Sequence, residues 1–126
     1  MITDANVGAF LSKRHPDFAP TYEAHVNRWG TENPMLYVLL QRFAREYMIP
    51  RLRTGTTEER TQLFGTVEQL FTDGDSLIDD LADNQIIDEL VYAGYTQKDD
   101  PVDLTGAGPL TTGRITRTRD WRPNKS

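Results

Sequence analysis

The feature that most constrains the fold is an apolar stretch near the middle of the chain, residues 34–52. Its apolar side chains are Met35, Leu36, Tyr37, Val38, Leu39, Leu40, Phe43, Ala44, Tyr47, Met48, Ile49 and Leu52. They leave almost no polar face in the first half of the stretch. Because a helix that is apolar nearly all round must be covered on several sides, we predict a central helix with Leu40 and Phe43 almost fully buried.

The ends of this helix are marked by residues with known terminal preferences. Asn33 is a favoured N-cap residue, and Pro34 loses no intrahelical hydrogen bond at the first helical position. Pro50 lacks a donor and disfavours helix at the residue before it, so we expect a kink or a stop there. Gly55 then ends the segment. The stretch is too short, and too often interrupted by charged side chains, to span a bilayer.

The length and composition indicate one globular domain. The chain has 126 residues, enough for a single core, and no cysteine, which excludes disulfides and thiolate zinc sites. Residues 1–13 contain neither a basic region nor an apolar run of useful length, so we expect no signal peptide. These observations predict a cytoplasmic protein with no membrane contact.

Apolar spacings of three and four residues indicate four further helices, two on each side of the central one. The sets before it are Val7, Phe10 and Leu11, and then Tyr22, His25, Val26 and Trp29. The sets after it are Leu63, Phe64, Val67, Leu70 and Phe71, and then Ile78, Ala82, Ile86 and Leu90. We therefore predict an all-α fold, a single-domain helical bundle of about five helices formed by residues 1–103.

The last two of these helices should form a hairpin. Thr56 and Glu59 have the spacing of a capping box, which fixes the start of the first helix. Gly74 suits the end of that helix, and Asp75 is a favoured N-cap for the next. Because so few residues join them, we expect the two helices to pack antiparallel.

The C-terminal residues 104–126 have a different composition. They are rich in Thr and Gly and show no helical period, so we predict an irregular, basic arm that is extended or partly disordered. Residues 115–119 have β-like composition, but one short strand has nothing to pair with. Two possibilities stay open, a flexible tail and an arm whose basic side chains fold back over the acidic helices.

The net charge of −5 is distributed very unevenly along the chain. Residues 1–55 carry 7 Lys or Arg and 5 Asp or Glu, residues 56–103 carry 2 and 13, and residues 104–126 carry 5 and 1. A nucleic-acid binder usually presents a basic face, which the middle of this chain does not. Such a concentration of carboxylates suits a basic protein partner, and it equally suits a solvated face that keeps the protein soluble.

The acidic cluster Asp73, Asp75, Asp79, Asp80 and Asp83 invites a metal hypothesis. An EF-hand loop is excluded, because its invariant glycine and its glutamate at the twelfth position are missing. All-α nucleotide pyrophosphohydrolases bind magnesium with E-x-x-E and E-x-x-D pairs, of which Asp80-x-x-Asp83 is the single partial match. We therefore predict that the protein binds no metal and no cofactor. Binding measurements with calcium and magnesium would test this prediction.

Other catalytic signals are missing from the sequence. His25 lies on an apolar helix face, where a hydrogen-bonded core residue is expected more often than a ligand, and His15 precedes a proline and has no recognisable partner. There is no Ser/His/Asp set, no Cys/His set and no phosphate-binding glycine loop. We predict that the protein is not an enzyme.

Residues 67–90 resemble small all-helical bacterial immunity proteins of polymorphic or contact-dependent toxin systems. The resemblance is carried by Glu68, Leu70, Phe71, Gly74, Asp75, Leu77, Ile78, Leu81, Glu89 and Leu90, with Tyr37, Leu40 and Phe43 as a looser upstream match. It implies a protein that binds a cognate toxin domain and blocks its active site or its assembly.

We therefore expect an immunity protein that binds a basic toxin domain, without direct nucleic-acid contact, through the acidic helical surface. Its predicted partner-binding residues are Asp73, Asp75, Asp79, Asp80 and Asp83. The alternatives are a non-enzymatic scaffold or regulatory module and, third, a metal-dependent all-α nucleotide hydrolase.

Overall fold

A computed structural model describes residues 1–30, 35–96 and 102–121, and within these ranges the chain forms six helices and no strand. The helices are α1 (Val7–Arg14), α2 (Ala19–Trp29), α3 (residues 36–54), α4 (Thr57–Asp73), α5 (residues 76–96) and α6 (Pro109–Trp121). A short 3-10 turn, Pro16–Phe18, joins α1 to α2. The predicted all-α, single-domain fold is confirmed, with one helix more than expected.

Helix α3 is the predicted central helix, but it does not stop at Pro50. Its middle third, Phe43–Met48, is π-helical, and the N–H of Ile49 reaches back five residues to the carbonyl of Ala44. Pro50 follows this segment inside the continuous helix, so of the two predicted outcomes, a kink or a stop, the stop is wrong. Gly55 follows the last helical residue as predicted, whereas the expected cap at Asn33 and Pro34 lies outside the described residues.

The core is centred on α3. Leu40 and Phe43 are both 0 % exposed, which confirms their predicted burial. The ring of Phe43 stacks on the ring of Tyr47, with 5.6 Å between the centroids. The ring of Phe18 packs edge-on against the ring of Phe43 at 5.1 Å. This aromatic group anchors the turn between α1 and α2 against the central helix, because such offset and edge contacts are the favoured ring geometries.

Helices α4 and α5 form the predicted hairpin. The Thr56 capping box is present, with reciprocal side-chain bonds to Glu59, and the Asp75 carboxylate accepts the N–H of Ile78 at 3.0 Å. Gly74 does not adopt a left-handed conformation; a side chain there would meet the Leu70 carbonyl and lie 2.8 Å from a methyl group of Ile78. The glycine thus permits a close approach of the two helices at their connection.

The N-terminal residues pair with this connection. The N–H of Ile2 donates to the carbonyl of Asp73 at 2.8 Å, and its own carbonyl accepts the N–H of Asp75 at 2.9 Å. The Ile2 side chain is buried. The start of the chain is therefore attached to the turn between α4 and α5 by an isolated β-type bridge.

The predicted irregular, extended arm is wrong for residues 109–121, which form α6. Its composition favours helix weakly, but the Glu68 carboxylate accepts the N–H groups of Leu110 and Thr111, each at 3.0 Å, and so caps the helix from outside. Tertiary contacts outweigh propensity here, as they do in most short helices of proteins. Of the rest of the arm, residues 104–108 are irregular as predicted, and residues 122–126 lie outside the described part.

No helix in the described part of the chain has the length and apolar character needed to cross a membrane.

Candidate functional site

The structure places the five predicted partner-binding aspartates on the α4–α5 hairpin, but in different environments. Asp79 and Asp83 face α6, whereas Asp73 and Asp80 are exposed to solvent. Asp75 is the N-cap of α5, so its carboxylate is engaged by the backbone. The acidic cluster is therefore divided into a covered pair and an exposed pair.

The covered pair binds the arginines of α6. Arg114 donates to both carboxylate oxygens of Asp79, at 2.8 and 3.1 Å, and its Nη1 lies 3.6 Å from Asp83. Arg117 donates to the second oxygen of Asp83 at 2.8 Å. Hydrogen bonding to the Asp79 carboxylate raises the pKa of Arg114 above its usual value. A two-pronged guanidinium–carboxylate contact of this kind fixes orientation as well as charge.

Arg114 also has an aromatic contact. Its guanidinium lies over the ring of Phe71 at 4.3 Å from the centroid, and its side chain is only 22 % exposed. A cation partly removed from water over an aromatic face is attracted by the negative ring face. Arg114 is thus held by α4 and α5 together.

Glu68 of α4 is the third acidic residue that contacts α6. In the sequence it stood out only as one of the residues shared with immunity proteins. Its carboxylate accepts the N–H groups of Leu110 and Thr111 and also the Thr111 hydroxyl at 2.9 Å. Burial alone would raise the pKa of Glu68, but the hydrogen bonds from Thr111 and Leu110 lower it overall. Glu68 therefore remains ionised at neutral pH and holds the positive end of the α6 dipole.

The exposed pair borders a leucine. Leu77 is 46 % exposed; it follows Asp73, the last residue of α4, in the sequence and precedes Asp80 by three residues, which places Leu77 and Asp80 on one face of α5. The amino group of Met1 lies 3.8 Å from the Asp73 carboxylate. Residues 61–97 contain no lysine or arginine. The outer side of the hairpin thus presents an apolar side chain among carboxylates.

His15 has a partner that its sequence position did not predict. Its Nε2 lies 2.7 Å from the Thr66 hydroxyl, and the Thr66 hydroxyl donates to the Gln62 carbonyl at 3.0 Å. Burial, aided by the positive charges of Arg14 and Arg51, lowers the pKa of His15 from 6.5 to about 4. The imidazole is therefore neutral at neutral pH and joins α1 to α4, which is a structural role. His25 is buried, as its position on an apolar face predicts.

Metal binding would need several ligands at one place. The described residues include no group of three or more His, Cys, Asp or Glu side chains arranged to hold a metal ion. Of the partial hydrolase motif, Asp80 is exposed while Asp83 accepts from Arg117. The absence of a metal site stays a prediction.

Two open cavities flank the hairpin. One of about 380 Å³ lies where the end of α5, residues 102–107 and the Ile115 face of α6 meet. The other, of about 470 Å³, lies between α3 and α5 and includes Arg45 and Glu89, which form an ion pair at 2.6 Å. The first cavity is lined by Asp103 and Thr105, and the Asp103 carboxylate accepts the N–H of Thr105 at 2.9 Å.

Comparison with curated proteins and with solved structures finds no significant match. A family model described as "Domain of unknown function (DUF7674)" matches residues 9–103, which include α2 to α5 and end before α6. Because the match covers most of the chain, the protein belongs to the DUF7674 family.

Proposed function

We propose that this protein is a non-enzymatic binding protein of the immunity class, which neutralises a bacterial toxin domain by covering it with the α4–α5 hairpin. The observation that carries the proposal is the exposed Leu77 between Asp73 and Asp80. Interfaces typically centre on a few apolar anchors surrounded by a polar rim. An exposed leucine that shares a helix face with an exposed aspartate has the residue types of such an anchor and its rim.

The charge of the hairpin defines the partner's chemistry. With no basic side chain in residues 61–97, the exposed carboxylates would attract a partner with a basic surface. Toxins that act on nucleic acids or nucleotides present basic groups to phosphates, and an acidic inhibitor would occupy those groups. Electrostatic attraction of this kind raises the association rate more than the final affinity. Such a protein would act in the cytoplasm.

The two alternatives make different demands on the same residues. A scaffold or regulatory module would use the same exposed surface with a partner that is not toxic. A metal-dependent hydrolase would need Asp80 and Asp83 to converge on one ion, and the Arg117 contact with Asp83 argues against this arrangement. The binding proposal therefore has more support than the hydrolase.

Co-expression tests the proposal. A toxin domain encoded beside this gene would be produced in bacteria with and without this protein, and we expect the protein to restore growth and to form a complex on size-exclusion chromatography. Leu77→Asp should abolish both effects. The control is Tyr37→Asp, because Tyr37 is similarly exposed, at 48 %, but lies on α3. Growth that does not depend on the protein, or equal protection by Leu77→Asp, would contradict the proposal.

A further inference from the structure

Helix α6 is attached to the hairpin mainly through polar and charged contacts. Arg114 and Arg117 bind Asp79 and Asp83, and Glu68 holds the first N–H groups of the helix. Among the described side chains of α6, only Thr111 and Ile115 are buried. Most of the attachment therefore depends on electrostatic interactions, which salt weakens.

The helix has little stability of its own. In its 13 residues it contains four threonines and Gly113, and these residue types favour helix weakly. Isolated helices of this length are marginal in water even when their composition is favourable. Once α6 leaves the hairpin, we expect it to lose its helical structure, so its docking and its folding are coupled.

The surface under α6 has the features that recognise a basic amphipathic helix. Glu68 accepts the N-terminal N–H groups, the Phe71 ring and the Asp79 carboxylate receive the first arginine, and Asp83 receives a second arginine three residues later. An apolar residue between the arginines, Ile115, is buried beside them. Each of these contacts recognises a chemical type and not a unique sequence, so another helix with the same pattern could make them.

We propose that α6 is a detachable cover over a groove on α4 and α5 that accepts a basic amphipathic helix of a partner protein. The groove is defined by Glu68, Phe71, Asp79 and Asp83, and the residue pattern that fits it is Arg-apolar-x-Arg within one helix. The match to the DUF7674 family ends at residue 103, so the cover lies outside the matched domain and the groove lies within it. The kind of partner rests on the proposed function, but the detachment of α6 does not.

Detachment has a consequence for affinity. While α6 occupies the groove, a partner helix binds only to the open fraction, so its apparent affinity is its intrinsic affinity multiplied by that fraction. Conditions that favour the open state, such as higher ionic strength or loss of the two arginines, should raise the accessible fraction. The partner-binding aspartates Asp79 and Asp83 would then become available together with the exposed pair.

Hydrogen–deuterium exchange of the full chain tests detachment directly. We compare the wild type with Arg114→Gln/Arg117→Gln, and with Arg28→Gln as a matched loss of an exposed arginine on α2. Amides of residues 110–121 should exchange at least tenfold faster in the double variant, while those of α4 keep their wild-type rates and so report an intact fold. In the wild type, raising NaCl from about 50 to 500 mM should accelerate exchange in α6 but not in α4. Equal exchange rates for α6 in the wild type and the double variant would overturn the proposal, because α6 would then open only with the whole domain.

A peptide supplied in trans tests the groove. The probe is a synthetic peptide with the sequence of residues 107–121, and the control peptide carries glutamine at both arginine positions. We expect the probe to bind the full-length double variant at low salt at least tenfold more tightly than it binds the wild type, and the control peptide to bind neither. Adding Asp79→Asn and Asp83→Asn to the double variant should abolish binding of the probe. Equal binding to both chains, or binding to neither, would contradict a separable groove. Neither experiment uses a toxin, so their failure and the failure of the proposed function are distinguishable.

Discussion

The imidazole of His15 and the hydroxyl of Thr66 form a hydrogen bond of 2.7 Å inside the domain. The Thr66 hydroxyl also lies 3.0 Å from the Gln62 carbonyl; when it donates its single proton there, its oxygen accepts the Nε2–H of His15. The bond connects residues 51 positions apart in the sequence. It links the end of α1 to the middle of α4.

The stability of the protein should therefore fall in mild acid. His15 is 3 % exposed, and its pKa is lowered from 6.5 to about 4, so between these values the unfolded chain binds the proton more tightly than the folded chain. The contribution of His15 is complete above about pH 6.5 and is lost as the pH falls towards 4, at a total of about 3 kcal/mol. Urea unfolding at pH 7 and pH 5 measures this loss.

The control for this measurement is His15→Gln, whose amide can still donate to Thr66 but does not titrate. We expect the wild type to lose roughly 2 kcal/mol more than the variant between pH 7 and pH 5, because most carboxylates remain ionised in this range. Equal losses in both proteins would show that His15 does not control the acid response.

Truncation of the central helix should be costly. Leu40 is 0 % exposed, and Leu40→Ala removes buried methyl groups and leaves a cavity, at roughly 2–5 kcal/mol. Chemical denaturation at neutral pH measures the free energy of unfolding. The matched control is Leu77→Ala, the same chemical change at a 46 % exposed site, which we expect to cost less than about 1 kcal/mol. A Leu40→Ala loss below about half a kcal/mol would place this helix at the periphery of the core.

Neutralising the exposed carboxylates should slow association with a basic partner. Asp73→Asn/Asp80→Asn leaves the contacts of α6 unchanged, so any effect reports the exposed face alone. We expect the association rate to fall several-fold at about 50 mM salt and the difference to shrink at high salt. Stopped-flow fluorescence measures the rate, and Asp4→Asn/Glu23→Gln provides the same charge change at exposed sites on other elements. If both double variants slow association equally, the effect depends on the net charge of the protein and not on the position of Asp73 and Asp80.

Divalent metals should not bind tightly. In titration calorimetry with Mg²⁺, Mn²⁺ and Ca²⁺, we expect no dissociation constant below about 1 mM, because Asp79 and Asp83 are engaged by arginines and Asp75 by the backbone. Micromolar affinity for Mg²⁺ that disappears in Asp80→Asn would support the hydrolase alternative.

Periodicity and capping predicted the elements whose signals are local. The capping box at Thr56 and the cap at Asp75 depend on residues within one turn, so the sequence was sufficient to place them. At Pro50 the sequence predicted a kink or a stop, and it did not predict the π-helical segment Phe43–Met48 that precedes this proline. Helix α6 was missed because its cap, Glu68, lies 42 residues earlier in the chain.

The candidate site was predicted in composition but not in arrangement. The charge pattern identified the five aspartates as one acidic group, and the suggestion that basic side chains could fold back over them agrees with the arginine contacts. The division into a covered and an exposed pair depends on which side of α5 receives α6. A Thr-rich segment without periodicity does not contain that information, although the spacing of Arg114 and Arg117 by three residues is compatible with one helix face.

The bridge between Ile2 and the α4–α5 connection has a thermodynamic consequence for binding. Two backbone hydrogen bonds from one buried residue hold the peptide groups on both sides of Gly74, and Asp75 is held further by its cap of α5. The backbone that carries Asp73 is therefore already ordered before any partner arrives. Ordering a loop at an interface opposes association through lost conformational entropy, and this turn avoids that loss. A weak Ile2 bridge would thus reduce affinity without altering any group that touches the partner.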